Sequence, residues 1–395
     1  MAHIRTRELK AGGKAYLVRW QDAAAKERSK QFGRMADARA FKVEIERELI
    51  RGTYVDPRAG DITFKDYAEQ WRTERADHRA TTAKRAESLL RLYAYPHLSD
   101  LRIGAARKSD LKQFVRALVM TPQRRAGTHA IDASRQISAS MVHRVINVVK
   151  AVFSAAAEDG RIASNPCQGL WLPELERVEI EIPTTDQLVE IVAGFKASYY
   201  QRLVLAAAGT GLRSGELRGL TEDRVNFLRR TVKVDRQLIG APNRQPIWGP
   251  PKSKAGYRTI PVAQSIIDVF AAQIAERGVG PGGLIFTGRD HQPVIDSTLH
   301  HRLEEVLDPL GWPEQTGLHV FRHYYASLLI HAGLSVKVVQ KRLGHATAQE
   351  TLDTYGHLWP DDEEDSRTAV QEVLGPIVGG VSTSPSQVRE SVSGP

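Results

Sequence analysis

Gly209-Thr-Gly-Leu-Arg-Ser-Gly-Glu216 follows an apolar run, Leu203 to Ala208, and precedes a helical pattern. Its glycines invite a phosphate-loop reading, but such a loop ends in Gly-Lys-Ser/Thr and here Glu216 follows Gly215. A dinucleotide fingerprint would need a strand–helix–strand frame, which the flanking residues do not offer. What remains is a break between two helices, with Arg213 just ahead of the second and Glu216 in its first turn. Taken by itself, Arg213 reads as an ordinary surface arginine.

Working outward, Thr184 with Gln187 has the spacing of a capping box and opens the unit that holds this break. Arg230–Ile239 and Tyr257–Val262 carry strand signals. Helical periodicity returns at Ala263–Ala275, Ser297–Leu307, Phe321–His331, Val336–Arg342 and Ala348–Tyr355. Residues 184–365 are therefore expected to form a mostly helical domain with a small antiparallel sheet. Upstream, residues 63–170 read as all-helical, with a basic loop at Thr121–Thr128 that holds Arg124 and Arg125. Residues 1–55 read as a small β-β-α unit: Lys14–Gln21 alternates as a strand, a second run ends at Phe32, and Asp37–Ile50 turns helical. Linkers are placed at 56–62 and 171–183, and residues 366–395 are expected to be a partly disordered tail. The fold class is thus multidomain α+β, without internal repeats.

Length and charge agree with this division. The chain has 395 residues, two to three domains' worth at about 150 each. The net charge of +9 is unevenly placed: +6 on residues 1–60, +5 on 61–180, +3 on 181–360 and −5 on 361–395. An excess concentrated in the first 180 residues suggests a polyanionic partner, nucleic acid before membrane surface. No apolar stretch approaches the ~20 residues of a bilayer span, and the basic N-terminus leads into no apolar signal core. The lone Cys167 excludes an internal disulfide and any multi-cysteine zinc site, so a reducing, intracellular setting is expected.

Other candidate residues are individually unremarkable. His319 and His323 lie i, i+4, yet the metalloprotease pattern needs Glu where Val320 stands, and no metal site is expected. His319 and Arg322, at i, i+3, share one helical face. His345 follows Gly344, which looks like a helix stop; Tyr355 ends a short helical run; Lys252 and Lys254 occupy a turn bounded by proline and glycine.

In chain order, however, TGLRSGEL, KSKAGYRTIP, LHVFRH, LGH and TLDTY together closely resemble the tyrosine recombinase (phage integrase) family. The resemblance covers roughly residues 184–360. Upstream, 63–170 resembles that family's helical, SAM-like core-binding domain, and 1–55 its arm-type DNA-binding module. It implies that Arg213 and Arg322 clamp the scissile phosphodiester bidentately. His319 and His345 add hydrogen bonds, with His319 also a candidate proton acceptor, and Lys252 protonates the departing 5′-oxygen. Tyr355 attacks phosphorus and leaves a 3′-phosphotyrosyl link, while Glu216 supports its neighbours. Lys252 is preferred to Lys254 by its distance to Pro261.

The implied activity is site-specific DNA recombination, integrating or excising a mobile element such as a prophage, with no cofactor, ATP or metal. The implied partners are double-stranded DNA attachment sites and three further copies of the chain in a synaptic tetramer. An accessory bending or directionality protein stays open. DNA contacts are expected from Lys14, Arg19, Arg124 and Arg125, and a cytoplasmic, nucleoid-associated, prokaryotic or phage-encoded protein is expected. Two rivals are weighed: a type IB topoisomerase, which shares the chemistry but acts as a monomer without synapsis, and a catalytically silent DNA-binding regulator on this fold.

Overall fold

The computed structural model describes all residues except 1, 9–13, 22–25, 52–53, 57, 75–79, 125–130, 176–179, 315, 360–362 and 382–395. Two compact units divide the chain, residues 1–178 and 179–395.

The first unit opens with an antiparallel meander of β1 (His3–Glu8), β2 (Lys14–Gln21) and β3 (Glu27–Phe32), followed by α1 (Met35–Arg51). Side chains alternate across a strand. Val18 and Trp20 of β2 therefore face α1 and pack with Ala38 and Ile45, with the Trp20 ring edge-on to Phe41 at 5.5 Å. The strand β1 extends the expected β-β-α unit. Its sequence, HIRTRE, lacks an apolar face and becomes a strand through its ladder to β2.

Helices follow as α2 (Phe64–Glu74), α3 (Ala80–Leu89), α4 (Tyr95–Leu98), α5 (Lys108–Val119) and α6 (Ala139–Glu158). Between α3 and α4 the helix widens into a π turn, Leu90–Ala94, just ahead of Pro96, whose ring and missing N–H cannot sustain the regular ladder. The core is formed by Phe64, Leu90, Leu111, Val149 and Phe153 among others. One element departs from the all-helical reading. The basic loop after α5 opens an antiparallel hairpin of β4 (Pro122–Arg124) and β5 (Ile131–Gln136). Its strands are polar and mostly exposed, so they carry no apolar alternation to be read.

The second unit contains α7 (Thr185–Gly194), α8 (Ser198–Thr210), α9 (Ser214–Arg218), β6 (Val225–Asn226), β7 (Thr231–Val234), β8 (Gln237–Gly240), β9 (Ile247–Gly249) and β10 (Arg258–Pro261). It continues with α10 (Gln264–Arg277), α11 (Asp296–Leu307), α12 (His319–His331), α13 (Val336–Leu343), α14 (Ala348–Tyr355) and α15 (Glu363–Val381). Strands β6, β7 and β10 form an antiparallel sheet with β7 central, and β8 pairs with β9. The main core joins α8, α10 and α12 through Val204, Phe270, Phe286 and Phe321. A smaller core packs α12, α13 and α14 through Tyr325, Ile330, Val339, Leu343 and Tyr355. The expected tail boundary at 365 falls inside α15, whose Val370, Val373, Leu374, Ile377 and Val378 are exposed at helical spacing. The Ser/Val/Gly-rich stretch after Pro385 lies outside the described residues. No helix among the described residues is long and apolar enough to cross a membrane.

Candidate active site

The break at 209–216 positions the first candidate. Helix α8 ends on Gly211 in the left-handed conformation (φ 62°), where a Cβ would stand 2.3 Å from the Tyr325 ring. Only glycine fits this turn. Two residues on, Arg213 caps α9, and its backbone N–H donates to Glu216 Oε2 at 3.1 Å. The Arg213 guanidinium donates to Glu216 Oε1 at 3.1 Å and to the Gly344 carbonyl at 3.0 Å.

Arg322, on α12, is 1% exposed and donates to the carbonyls of Gly211 at 2.7 Å and Leu343 at 2.6 Å. Its Nε has no protein partner. Burial, together with the facing charges of Arg213 and Arg258, lowers its pKa. Both guanidiniums thus grip the turn Leu343–Gly344, which in turn presents His345. Gly344 is left-handed as well (φ 68°), and a Cβ there would lie 2.9 Å from the Ala255 carbonyl oxygen.

His345 is buried, with Nδ1 2.9 Å from the Thr351 hydroxyl and its ring parallel to that of Tyr355 at 6.4 Å. Burial and Arg322 hold its pKa down to about 4. Tyr355 closes α14, is 1% exposed, and has its hydroxyl 2.8 Å from His323 Nδ1. Burial pushes the phenol up to about 12, against the pull of Arg322. His319 starts α12 with its residue exposed. Packing on its inner side and the charges of His323, Arg322, Arg213 and Lys252 keep its pKa far below the usual imidazole range. Lys252 and Lys254 are both exposed in the β9–β10 connection; Lys252 is the one whose charge acts on His319.

Five of the six residues expected to be catalytic, Arg213, His319, Arg322, His345 and Tyr355, are linked by these contacts and charges, and Lys252 reaches them through its charge. Two residues of the cluster escaped the sequence reading. Arg258 is buried and forks onto Glu216 at 2.8 and 3.2 Å, while its Nε holds the Arg342 carbonyl at 2.8 Å. The inward alternation of Arg258 with Ile260 on β10 was the signal available for it. Burial alone would raise the Glu216 pKa, but hydrogen bonds and charge from Arg258, with Arg213 beside it, hold the carboxyl below its usual range. The second is His323, set aside with the zinc reading; among the described residues no group of ligands could hold a metal ion.

Of the four residues expected to contact DNA, Lys14 and Arg19 fall on opposite faces of one sheet. Register places Arg19 with His3, Arg5 and Arg7 on the sheet face away from α1, whereas Lys14 falls on the α1 side at the strand's end. Arg124 ends β4 with its side chain outside the described residues, and Arg125 is outside them altogether.

The family profile described as the phage integrase family matches residues 183–361, the stretch that carries the whole cluster. Over these residues the chain is similar to the phage integrase family. A tyrosine recombinase XerC-like protein of Caldanaerobacter subterraneus subsp. tengcongensis is 26% identical over 368 residues, covering 86% of this chain and 90% of that protein. Among solved structures, the Tn1549 transposon integrase in complex with a circular intermediate DNA superposes with a TM-score of 0.66 at 21% identity, covering 79% of this chain and 99% of that one. A lambda integrase tetramer bound to a Holliday junction superposes with a TM-score of 0.55 at 15% identity, covering 87% and 96%. These structures share the mixed α+β fold of this chain.

Proposed function

We propose that this chain is a tyrosine recombinase that integrates or excises a mobile element at DNA attachment sites, with Tyr355 as nucleophile and Arg213, Arg322, His345, His319 and Lys252 acting on the scissile phosphate. The observation that carries the reading is the double grip of Arg213 and Arg322 on the Leu343–Gly344 turn, which holds two cations at the turn whose next residue, His345, has its imidazole parallel to the Tyr355 ring. Negative charge develops on the non-bridging oxygens as phosphorus becomes five-coordinate. Donors fixed in advance around those oxygens need no reorganisation, so they supply most of the catalysis. Arg322 retains an unpartnered Nε for this purpose.

In the reaction Tyr355 Oη bonds to phosphorus, the P–O5′ bond breaks, and the 5′-oxygen takes a proton from Lys252. Rejoining is the reverse. Because the phosphotyrosyl link keeps the phosphodiester's energy, strand exchange consumes no high-energy cofactor. Glu216 and Arg258 hold the site together rather than react.

Two surfaces support the assembly. The open face of the β1–β3 sheet, with Arg5, Arg7 and Arg19, suits the phosphates of an accessory DNA site. The exposed apolar stripe of α15 suits packing between copies in a synaptic tetramer. A directionality or bending protein would act on the DNA path rather than on the chemistry.

A nicked suicide duplex carrying the attachment core traps the covalent adduct. Wild-type protein should accumulate it and Tyr355→Phe should form none. An adduct formed by Tyr355→Phe would end the nucleophile assignment.

A further inference from the structure

Strand cleavage needs a group to take the phenol proton, and among the described residues none of the other five picked from the sequence is hydrogen-bonded to the phenol. The Tyr355 hydroxyl lies 2.8 Å from His323 Nδ1, and the two rings are 5.5 Å apart. His319 is one ring further away, edge-on to His323 at 4.8 Å. His345 is parallel to the phenol at 6.4 Å, with its Nδ1 committed to Thr351.

We propose that His323 is the base of the cleavage step, accepting the Tyr355 phenol proton at Nδ1 as Oη bonds to phosphorus and returning it when the strand is rejoined. This rests on the reading of Tyr355 as nucleophile. The step balances: Oη–P forms, P–O5′ breaks, His323 gains the phenol proton, and the 5′-oxygen gains one from the general acid. With Nδ1 as acceptor, the resting imidazole carries its proton on Nε2.

The surroundings make this transfer depend on substrate. Groups acting on the pair are His319 and Arg322 from α12, His345 from the turn after α13, and Glu350 from α14. In the resting protein burial and Arg322 keep His323 neutral, with its pKa down to about 4, while burial keeps Tyr355 protonated. A scissile phosphate held by Arg213 and Arg322 brings an anion beside the same cations. It offsets the charge that disfavours an imidazolium at His323, so the base is strengthened when its proton is to be moved. A free tyrosinate is thereby avoided in the absence of DNA.

The test is single-turnover cleavage of the suicide duplex by full-length protein, followed from about pH 6 to about pH 9.5, across the range in which imidazole titrates and phenol begins to. The substrates carry either the ordinary phosphodiester or a 5′-bridging phosphorothiolate, whose thiolate leaves without an acid. His323→Phe and His323→Gln should each cleave about 10²-fold or more slowly at neutral pH. The loss should be equal on both substrates, should shrink as pH rises, and should leave DNA affinity unchanged. If His323→Phe melts early, His323→Gln carries the test, because an amide can hold the phenol but cannot take its proton. A loss that does not change with pH would reduce His323 to support, and a gain in rate would make it a latch on Tyr355; either overturns the proposal. Adduct formation by Tyr355→Phe would instead overturn the nucleophile, so the two failures are distinguishable.

Discussion

The open sheet face of the first unit and the turn around Gly344 in the second both gather arginines, on opposite physical terms. Arg5 and Arg7 are exposed on the sheet, and Arg19 is half-buried beside Glu27 at 3.1 Å. Arg258 and Arg322 are buried, and with Arg213 they are fixed by backbone carbonyls and by Glu216. Exposed cations are screened by salt and act through their number. Buried ones act through position, and like charges brought together out of water destabilise the fold unless a carboxylate or carbonyl answers them. The charge sum conceals this difference: residues 1–180 carry +11 and residues 181–360 only +3, yet the reaction is assigned to the second stretch.

The sharpest way to break the comparison lies between two exposed lysines of the catalytic unit. If Lys252 is the general acid, Lys252→Ala should slow cleavage of an ordinary phosphodiester by about 10²–10⁴-fold. A 5′-bridging phosphorothiolate at the cut should restore most of that rate. Lys254→Ala should change either rate by less than about threefold, the behaviour of a solvated surface lysine. Single-turnover rates on the two substrates decide it. A restoration seen with Lys254→Ala and not with Lys252→Ala would exchange the two assignments.

A smaller effect is expected at Glu216, and it concerns stability. Its carboxylate answers both Arg213 and Arg258 from a buried position. Glu216→Gln leaves two cations poorly compensated and should cost about 3–5 kcal/mol of the second unit's stability in denaturant unfolding. The pH dependence follows from the sign of the shift. The folded-state pKa is lowered. The stabilisation is therefore fully present above the unfolded value of about 4.3 and is lost as pH falls below it toward the folded value. Wild-type protein should lose stability steeply on that acid side, and Glu216→Gln should lack that part of the slope. Equal slopes would show that the pair contributes no linkage.

Glu216 entered as a supporting carboxylate through the family resemblance and Arg258 did not enter at all, and the difference between residues that were found and missed follows which signals are local. Arg213 and Glu216 are three residues apart at a helix start, and His319 and Arg322 three apart on one helix, so their spacing alone suggests shared faces. Arg258 meets Glu216 from 42 positions away and His323 meets Tyr355 from 32, through packing that no local period encodes. The same limit explains β1 and the β4–β5 hairpin, whose polar strands exist by pairing rather than by an apolar face. It also explains α15, where the apolar stripe sits in a segment whose acidic start and Ser/Gly-rich end suggested a tail.

The smallest effects are expected on the sheet, where they test whether its arginines act by number. Each arginine that neutralises a phosphate contributes about 0.9 to the slope of log affinity against log salt. Arg5→Ala, Arg7→Ala and Arg19→Ala combined should therefore lower the slope for accessory-site DNA by at most about 3, and should leave cleavage at the core site unchanged. Within that face, Arg19 has a carboxylate beside it, Glu27 at 3.1 Å, with Arg19 half-buried and Glu27 exposed. A pair of that kind is worth about 0.2–1 kcal/mol, so Glu27→Gln should barely alter unfolding. It should, however, free Arg19 and remove a negative charge from the face, tightening accessory-site DNA by a few-fold at low salt and not at high salt. A tightening that persists at high salt would mean that Glu27 shapes the surface rather than its field, and the contrast with the buried arginines would then be one of degree.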